Sequence, residues 1–244
     1  PADDTPRLRM FAGPNGSGKS TIKSKIGKRL LGAFINPDEI EAGIKQFGFL
    51  DFQKFSLKAD TTETLDFFKH SSFLIKANLA ADAAKLTFQD NKLNFSGINV
   101  NSYFASVAAD FIRQKLLLNK KSFSFETVMS SPDKVEFLRK SRAEGYRNYL
   151  YYVATDDPLI NISRVEQRVK DGGHDVPKDK IETRYYRSMD LLLEAIKLTN
   201  RAYIFDNSEE ESIWIAAITE SETIEIKQDR IPLWFKTYVL DKIA

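Results

Sequence analysis

Nine consecutive residues carry the sharpest chemistry in the chain: Gly13-Pro14-Asn15-Gly16-Ser17-Gly18-Lys19-Ser20-Thr21. Their order and spacing match the Walker A pattern. Glycines let successive backbone N–H groups converge on phosphate oxygens, and a helix starting just after them adds the positive end of its dipole. Lys19 has the reach to meet β- and γ-phosphates, while the Ser20 hydroxyl is a hard oxygen ligand suited to Mg²⁺. The segment therefore predicts a site for a nucleoside triphosphate, ATP or GTP, with Mg²⁺ on Ser20.

Other residues have types that suit phosphoryl transfer. Asp38 follows a short apolar stretch and lies one residue after Pro37. A carboxylate there can take the proton of an acceptor hydroxyl, or it can simply stabilise the first turn of a helix. Glu126 and Thr127 close the Phe123-Ser124-Phe125 run, and an acid at the carboxyl end of a parallel strand faces the ligand crevice of an α/β sheet. Arg164 and Arg168 are four apart, so one helix face carries both. Arg184 follows the hinge Gly172-Gly173-His174-Asp175-Val176-Pro177. Two helices joined by such a hinge and edged with arginine describe a lid over 164–185, whose charges can stabilise a transferring phosphoryl group. No Walker B aspartate is placed. The strands ending at Ala154 and Asp206 are candidates, although a turn at Asp206-Asn207-Ser208 explains that acid equally well.

The elements that must hold these residues alternate. Strands are expected over Arg7–Ala12, Ala33–Ile35, Ser122–Glu126, Asn148–Ala154 and Arg201–Asp206. Helices are expected over Ser20–Leu31, from Asn36-Pro37 onward, and over Lys134–Glu144, Pro158–Lys170 and Lys178–Leu198. Asn36 suits an N-cap and Pro37 the first helical position. Ile213–Thr219 and Glu222–Gln228 read as a terminal β-hairpin. The fold class that follows is α/β and P-loop kinase-like: a mainly parallel central sheet with helices on both faces, in one domain over 1–244. Residues 49–99 break the rhythm with amphipathic stretches at 64–75 and 77–88 and no clear strand. They read as a helical insertion rich in phenylalanine.

Composition narrows the classes. The 244 residues are 42% hydrophobic and 29% charged with a net charge of +2, enough for a normal core and too balanced for a globally basic nucleic-acid binder. No nucleic-acid partner is expected. Cysteine is absent, which excludes disulfides, thiolate metal sites and cysteine nucleophiles. Two histidines, His70 and His174, cannot build a poly-histidine centre; His174 reads as a hinge or substrate contact. The opening Pro1–Pro6 stretch has no signal-peptide character and no run is long enough to cross a bilayer. A cytoplasmic protein without a membrane partner is the expectation.

Taken together, these stretches resemble the zeta-toxin family of P-loop kinases, the toxin half of epsilon–zeta toxin–antitoxin systems. The resemblance rests on residues 13–21, Ile-Asn-Pro-Asp-Glu-Ile at 35–40, Phe-Glu-Thr at 125–127, and Arg-Val-Glu-Gln-Arg-Val-Lys-Asp-Gly-Gly-His-Asp-Val-Pro at 164–177, with Ile181, Arg184 and Tyr185. It implies transfer of the γ-phosphate of ATP or GTP to a hydroxyl of a small molecule, in the best-known members UDP-N-acetylglucosamine. It further implies Lys19 and Ser20 at nucleotide and Mg²⁺, Asp38 as base, Arg168 with Arg164 or Arg184 at the γ-phosphate, and Glu126 and Thr127 beside the acceptor. An antitoxin protein becomes a candidate partner.

Two other readings of the residues stay open: a metabolite or antibiotic kinase with no toxin role, and a nucleotide-operated switch that binds a protein. The insertion has three readings of its own, as a cap beside the acceptor pocket, a packing element, or an antitoxin-docking surface.

Overall fold

The computed structural model describes residues 4–243. Half of the Pro1–Pro6 stretch thus lies outside the described residues. In chain order the elements begin with β1 (Arg7–Ala12), α1 (Lys19–Ser24), α2 (Lys28–Leu31), β2 (Ala33–Ile35), α3 (Pro37–Phe47) and β3 (Phe49–Asp51). There follow α4 (Thr61–Lys69), α5 (Ser72–Lys76), α6 (Ala80–Ala83), β4 (Thr87–Gln89), β5 (Lys92–Asn94) and α7 (Ser102–Leu118). The second half runs β6 (Phe123–Thr127), α8 (Asp133–Ala143), β7 (Arg147–Ala154), α9 (Pro158–Lys170), α10 (Lys178–Asp190), α11 (Leu192–Lys197), β8 (Arg201–Asp206), β9 (Ile213–Thr219), β10 (Thr223–Ile226) and α12 (Leu233–Tyr238). The chain divides into two compact units, one made of the stretch up to Leu31 together with everything from Ser124, the other of Gly32–Phe123.

The first unit is built on a twisted sheet in which the order is β10-β9-β8-β7-β1-β6. β1 runs parallel to β7, from Arg7 opposite Arg147 to Ala12 opposite Tyr152, and β7 runs parallel to β8. β9 turns antiparallel against β8, and β10 returns along β9 as the expected hairpin. That hairpin turns on the three residues Glu220, Ser221 and Glu222, the first two at positive φ, a left-handed turn geometry that suits the twist of the flanking strands. Leu8 to Ala12 and Leu150 to Ala154 are buried residue after residue, so both faces of the sheet centre are covered, as a parallel α/β sheet requires. The α/β class with a mainly parallel sheet and a C-terminal hairpin is what the sequence led one to expect.

Two helix spans need correction. The expected Ser20–Leu31 helix stops at Ser24 and restarts at Lys28. Gly27 sits in the gap and weakens helix there, and the apolar stripe is not continuous, since Ile22 is buried while Leu30 is 55% exposed. Lys178–Leu198 is likewise two helices that meet at Leu191, the second burying Leu192, Ala195 and Ile196.

The second unit has its own core. Its helices α4, α5 and α6 fall where the amphipathic stretches predict helix, but the expectation that 49–99 lacks strands is overturned. β3, β5 and β4 form a three-stranded antiparallel sheet, with Leu50 opposite Leu93 and Phe88 opposite Leu93 on its other edge. Each strand has only three residues, too few for alternation to register. The local signal was Asp90-Asn91, both at positive φ, which closes the β4–β5 hairpin. The phenylalanines pack inside the unit: Phe52 and Phe67 meet Phe111 of α7 with ring centroids 5.5 and 5.1 Å apart, and Phe95 meets Phe104 of α7 at 5.8 Å. Such edge-on pairs contribute about 0.5–1.5 kcal/mol each beyond their burial. Phe47 and Phe73 are exceptions, both half exposed, Phe73 beside Tyr103.

Candidate functional site

β1 ends at Ala12 and α1 opens at Lys19, so residues 13–18 form the loop that turns the chain from strand to helix. Three positions there accept only glycine. A Cβ on Gly13 (φ +142°) would lie 2.0 Å from the Val153 carbonyl oxygen, one on Gly16 2.6 Å from the Asn161 carbonyl oxygen, and one on Gly18 2.2 Å from Asn207 Nδ2. The loop is therefore pressed against β7, α9 and the end of β8 at once. Its backbone turns through a Ser17 N–H bond to the Pro14 carbonyl at 3.3 Å.

Two asparagines that the sequence reading did not single out brace it. Asn161 Nδ2 donates to the Asn15 carbonyl at 2.6 Å, and its Oδ1 accepts from Thr155. Asn207 Nδ2 donates to the Ser17 carbonyl at 2.8 Å, while its backbone N–H reaches the Ala154 carbonyl at 2.8 Å. Both are buried. Only their position after Asp-Pro at 157–158 and after the β8 acid hinted at them, and asparagine there reads as ordinary turn chemistry.

Lys19 is buried and its Nζ folds back over the loop, donating to the Gly13 and Pro14 carbonyls at 2.9 Å each. The Ser20 hydroxyl donates to Glu126 Oε2 at 3.2 Å, so the end of β6 meets the start of α1. A hydroxyl and a carboxylate together are hard-oxygen donors of the kind Mg²⁺ takes, alongside phosphate oxygens and water. Among the described residues no cluster of three or more His, Cys, Asp or Glu could hold a metal by itself. Buried Ser17 Oγ and Asn15 Oδ1 have no hydrogen-bond partner. The unpaired Ser17 hydroxyl, a donor in a loop where three positions accept only glycine, fits a polyphosphate partner.

Thr127 accepts the Met129 N–H on its hydroxyl at 3.1 Å and shapes the exit of β6. The alternative acid, Asp206, is committed elsewhere: Oδ2 accepts from Trp234 Nε1 at 2.7 Å and from the Ser208 hydroxyl at 3.0 Å, and Oδ1 accepts the Ser208 N–H at 3.0 Å. It is a turn and anchoring residue, and the acid facing Ser20 is Glu126.

The three arginines of 164–185 stand in different surroundings. Arg164 donates from Nη1 to the Asn207 carbonyl at 2.6 Å and from Nη2 to the Glu209 carbonyl at 3.0 Å. Arg168 donates from Nη2 to the carbonyl of His174 at 2.6 Å, and Gly173 packs so closely on it that a Cβ would sit 2.6 Å from Arg168 Cγ. Arg184 is half-buried on α10 and makes no hydrogen bond or ion pair among the described residues. His174 itself is exposed on the hinge. Val176 anchors the hinge by packing with Val165 and Ile181. The root of α10 is fixed by the Tyr185 hydroxyl, which donates to the Thr155 carbonyl at 2.5 Å. Burial pushes the Tyr185 phenol well above its ordinary range, so it stays a donor.

Asp38 belongs to the second unit. Asn36 caps α3 by accepting the Asp38 N–H at 2.9 Å, and the Asp38 side chain is exposed at the first turn. Asn36, not Asp38, does the capping.

Comparison with known proteins bears on the second half of the chain, after the loop. The profile of the Zeta toxin family matches residues 96–219, just over half of the 244 residues. The chain belongs to the zeta-toxin family. Among solved structures, this family member is similar to AvrRxo1-ORF1:-ORF2 with ATP, at 15% identity over 91% of its length and a TM-score of 0.53. It also matches the PezAT chromosomal toxin–antitoxin system of Streptococcus pneumoniae, at 15% identity over 87% of its length and 73% of that chain, with a TM-score of 0.48. An uncharacterized protein of Haemophilus influenzae is 29% identical over 63 residues, 26% of this chain. The zeta-toxin chain spans 45% of that relative and 61% of the AvrRxo1 chain. Among its described residues no helix is long and apolar enough to cross a membrane.

Proposed function

We propose that the protein is a phosphotransferase moving the γ-phosphate of ATP or GTP onto a hydroxyl of a small molecule, of the class of a UDP-N-acetylglucosamine-type nucleotide sugar. The observation that carries the reading is the loop at 13–18, three of whose positions accept only glycine, with Lys19 folded over it and Ser20 against Glu126. Such a loop supplies convergent backbone donors, and Lys19 exchanges its two carbonyl partners for phosphate oxygens. Ser20 and Glu126 would hold Mg²⁺, which when bound neutralises charge on the phosphates. Asp38 would accept the proton of the attacking hydroxyl. The lid over 164–185 would bring Arg168 and Arg184 to the charge that develops on the transferred group, trading the His174 carbonyl for a phosphate oxygen in the first case. Thr127 and His174 would border the acceptor. Zeta-toxin membership also supports an antitoxin protein as a partner and a cytoplasmic setting.

The test is transfer of labelled γ-phosphate from ATP and from GTP, first to UDP-N-acetylglucosamine and then to a small-molecule extract. A labelled acceptor that survives nuclease and protease treatment is the expected product. Nucleotide binding without transfer to any small molecule would refute the kinase reading and leave a switch.

A further inference from the structure

The sheet of the first unit is covered unequally. On β7 and β8 the side chains of Tyr152 and Asp206 point to one face, where α12 closes over them: Trp234 donates to Asp206, and its ring meets Tyr152 at 6.2 Å. The intervening residues point the other way, and there Tyr149, Arg201 and Tyr203 are only half-buried. Arg9 of β1 stands opposite Tyr149, which stands opposite Arg201. The three share that face, and two strand spacings set the arginine Cα atoms about 10 Å apart. The Arg9 guanidinium lies 5.2 Å from the Tyr149 ring centre, and that of Arg201 lies 5.3 Å from the Tyr203 ring. Tyr203 stacks in turn on Tyr151 at 4.9 Å. Neither arginine has a carboxylate partner among the described residues, although Arg9 is only 6% exposed and Arg201 Nε is buried with no hydrogen-bond partner. The rows through Arg201 and Tyr203 reach no acid until Glu225 on β10, and that one is matched to Lys227.

Buried charge is ordinarily paired. Ring contacts offset part of the desolvation of these cations but cancel none of their charge. The rings also hold both forks in place, and a held guanidinium fork matches the oxygens of a phosphate. Burial, with the Tyr203 phenol alongside, holds the Tyr151 phenol above its ordinary range, so it adds a neutral donor. Two forks and a phenol suit a tetrahedral dianion better than a flat, singly charged carboxylate. We propose that Arg9 and Arg201, with the rings of Tyr149, Tyr151 and Tyr203, form an anion site for a phosphate group, separate from the loop at 13–18. The site does not rest on the phosphotransferase reading. Arg9 precedes Gly13 by about 13 Å of extended strand, so both sites can be filled at once.

The test isolates this face from the loop. Inorganic phosphate and methyl phosphate are titrated calorimetrically into Lys19→Ala, whose loop has lost its phosphate-directed charge, and into Lys19→Ala carrying Arg201→Gln or Arg9→Lys. Lys19→Ala alone should take up one anion per chain, the tighter probe telling free from esterified phosphate. Each second change should weaken that binding about tenfold or more, the effect of losing charge-assisted bonds. No anion bound by Lys19→Ala, or undiminished affinity in both double variants, would overturn the proposal. Uptake of a glutamate-rich peptide in place of either phosphate would overturn it too, and make the face a contact for protein carboxylates. Urea unfolding gives a second check that leaves Lys19 untouched. Arg201→Met removes an unpaired charge, so without phosphate it should be no less stable than the wild type. Added phosphate should then raise the wild-type midpoint further than that of Arg201→Met; equal gains in the two would show that phosphate acts elsewhere and sink the site.

Discussion

Removing the side-chain amide of Asn207 tests how much the phosphate loop depends on its brace. Asn207→Ala deletes one donor, the 2.8 Å bond to the Ser17 carbonyl, and leaves the two backbone ties of residue 207 in place, to Ala154 and to Arg164. The bond itself contributes about 1 kcal/mol net, and an acceptor left buried without a partner adds about 1–3 kcal/mol. A loss of about 2 kcal/mol in unfolding free energy is expected, read from urea denaturation with the slope unchanged. The loop then samples conformations in which its N–H groups no longer converge, so the dissociation constant for Mg²⁺–tripolyphosphate should rise about tenfold, equivalent to about 1.4 kcal/mol. Asn207→Asp sharpens the test. It has nearly the same shape but sets a carboxylate oxygen against the Ser17 carbonyl and adds a negative charge beside a polyanion, so it must be worse than alanine on both counts. If Asn207→Asp binds tripolyphosphate as well as Asn207→Ala, or if either variant keeps wild-type affinity and stability, the brace does not organise the loop.

Other perturbations follow from the same geometry. Lys19→Ala should abolish transfer, a barrier increase on the order of 3 kcal/mol or more for one lost charge in a shielded site, checked by single-turnover kinetics. Asp38→Asn should lower transfer by about 10²–10⁴-fold with nucleotide affinity and stability nearly unchanged, since Asn36 provides the cap; activity within a few-fold of wild type would place the base elsewhere. Glu126→Gln should raise the Mg²⁺ concentration needed for half-maximal rate about tenfold, whereas a residue that only lines the acceptor site would change its Michaelis constant instead. Arg168→Ala should reduce turnover more than nucleotide affinity, because the charge it meets grows on transfer; equal losses would indicate simple docking.

Much of this was legible because local chemistry dictated it. Pro37 after Asn36, Pro158 after Asp157 and the glycine spacing at 13–18 each demand a particular backbone, and the structure adopts it. The α/β alternation followed from strands long enough to carry a pattern. What stayed hidden has a common cause, which is distance along the chain. Nothing near Asn161 or Asn207 announces a partner 146 or 190 residues earlier. The contact between Ser20 and Glu126 spans 106 residues, so the sequence could offer Glu126 only as a crevice acid. The three-stranded sheet of the second unit escaped because three-residue strands carry too little alternation. Arg164 and Arg168 look equivalent four residues apart; only the carbonyls they meet distinguish them.

The long reach of those braces has a consequence for synthesis. β1 emerges from the ribosome long before its neighbour β7, which begins at Arg147, and the amide that holds Ser17 arrives only with Asn207. At about 5–20 residues per second, the phosphate loop waits roughly 10–40 s after it is made before its last brace exists. Closing so long a chain segment comes late in folding in any case, because its entropy must be lost before the contacts repay it. Residues 32–123 need no such delay, since their aromatic core closes on itself. A nascent chain therefore carries a folded passenger long before it carries an assembled phosphate cradle, and the latent period ends only once Asn207 has been made.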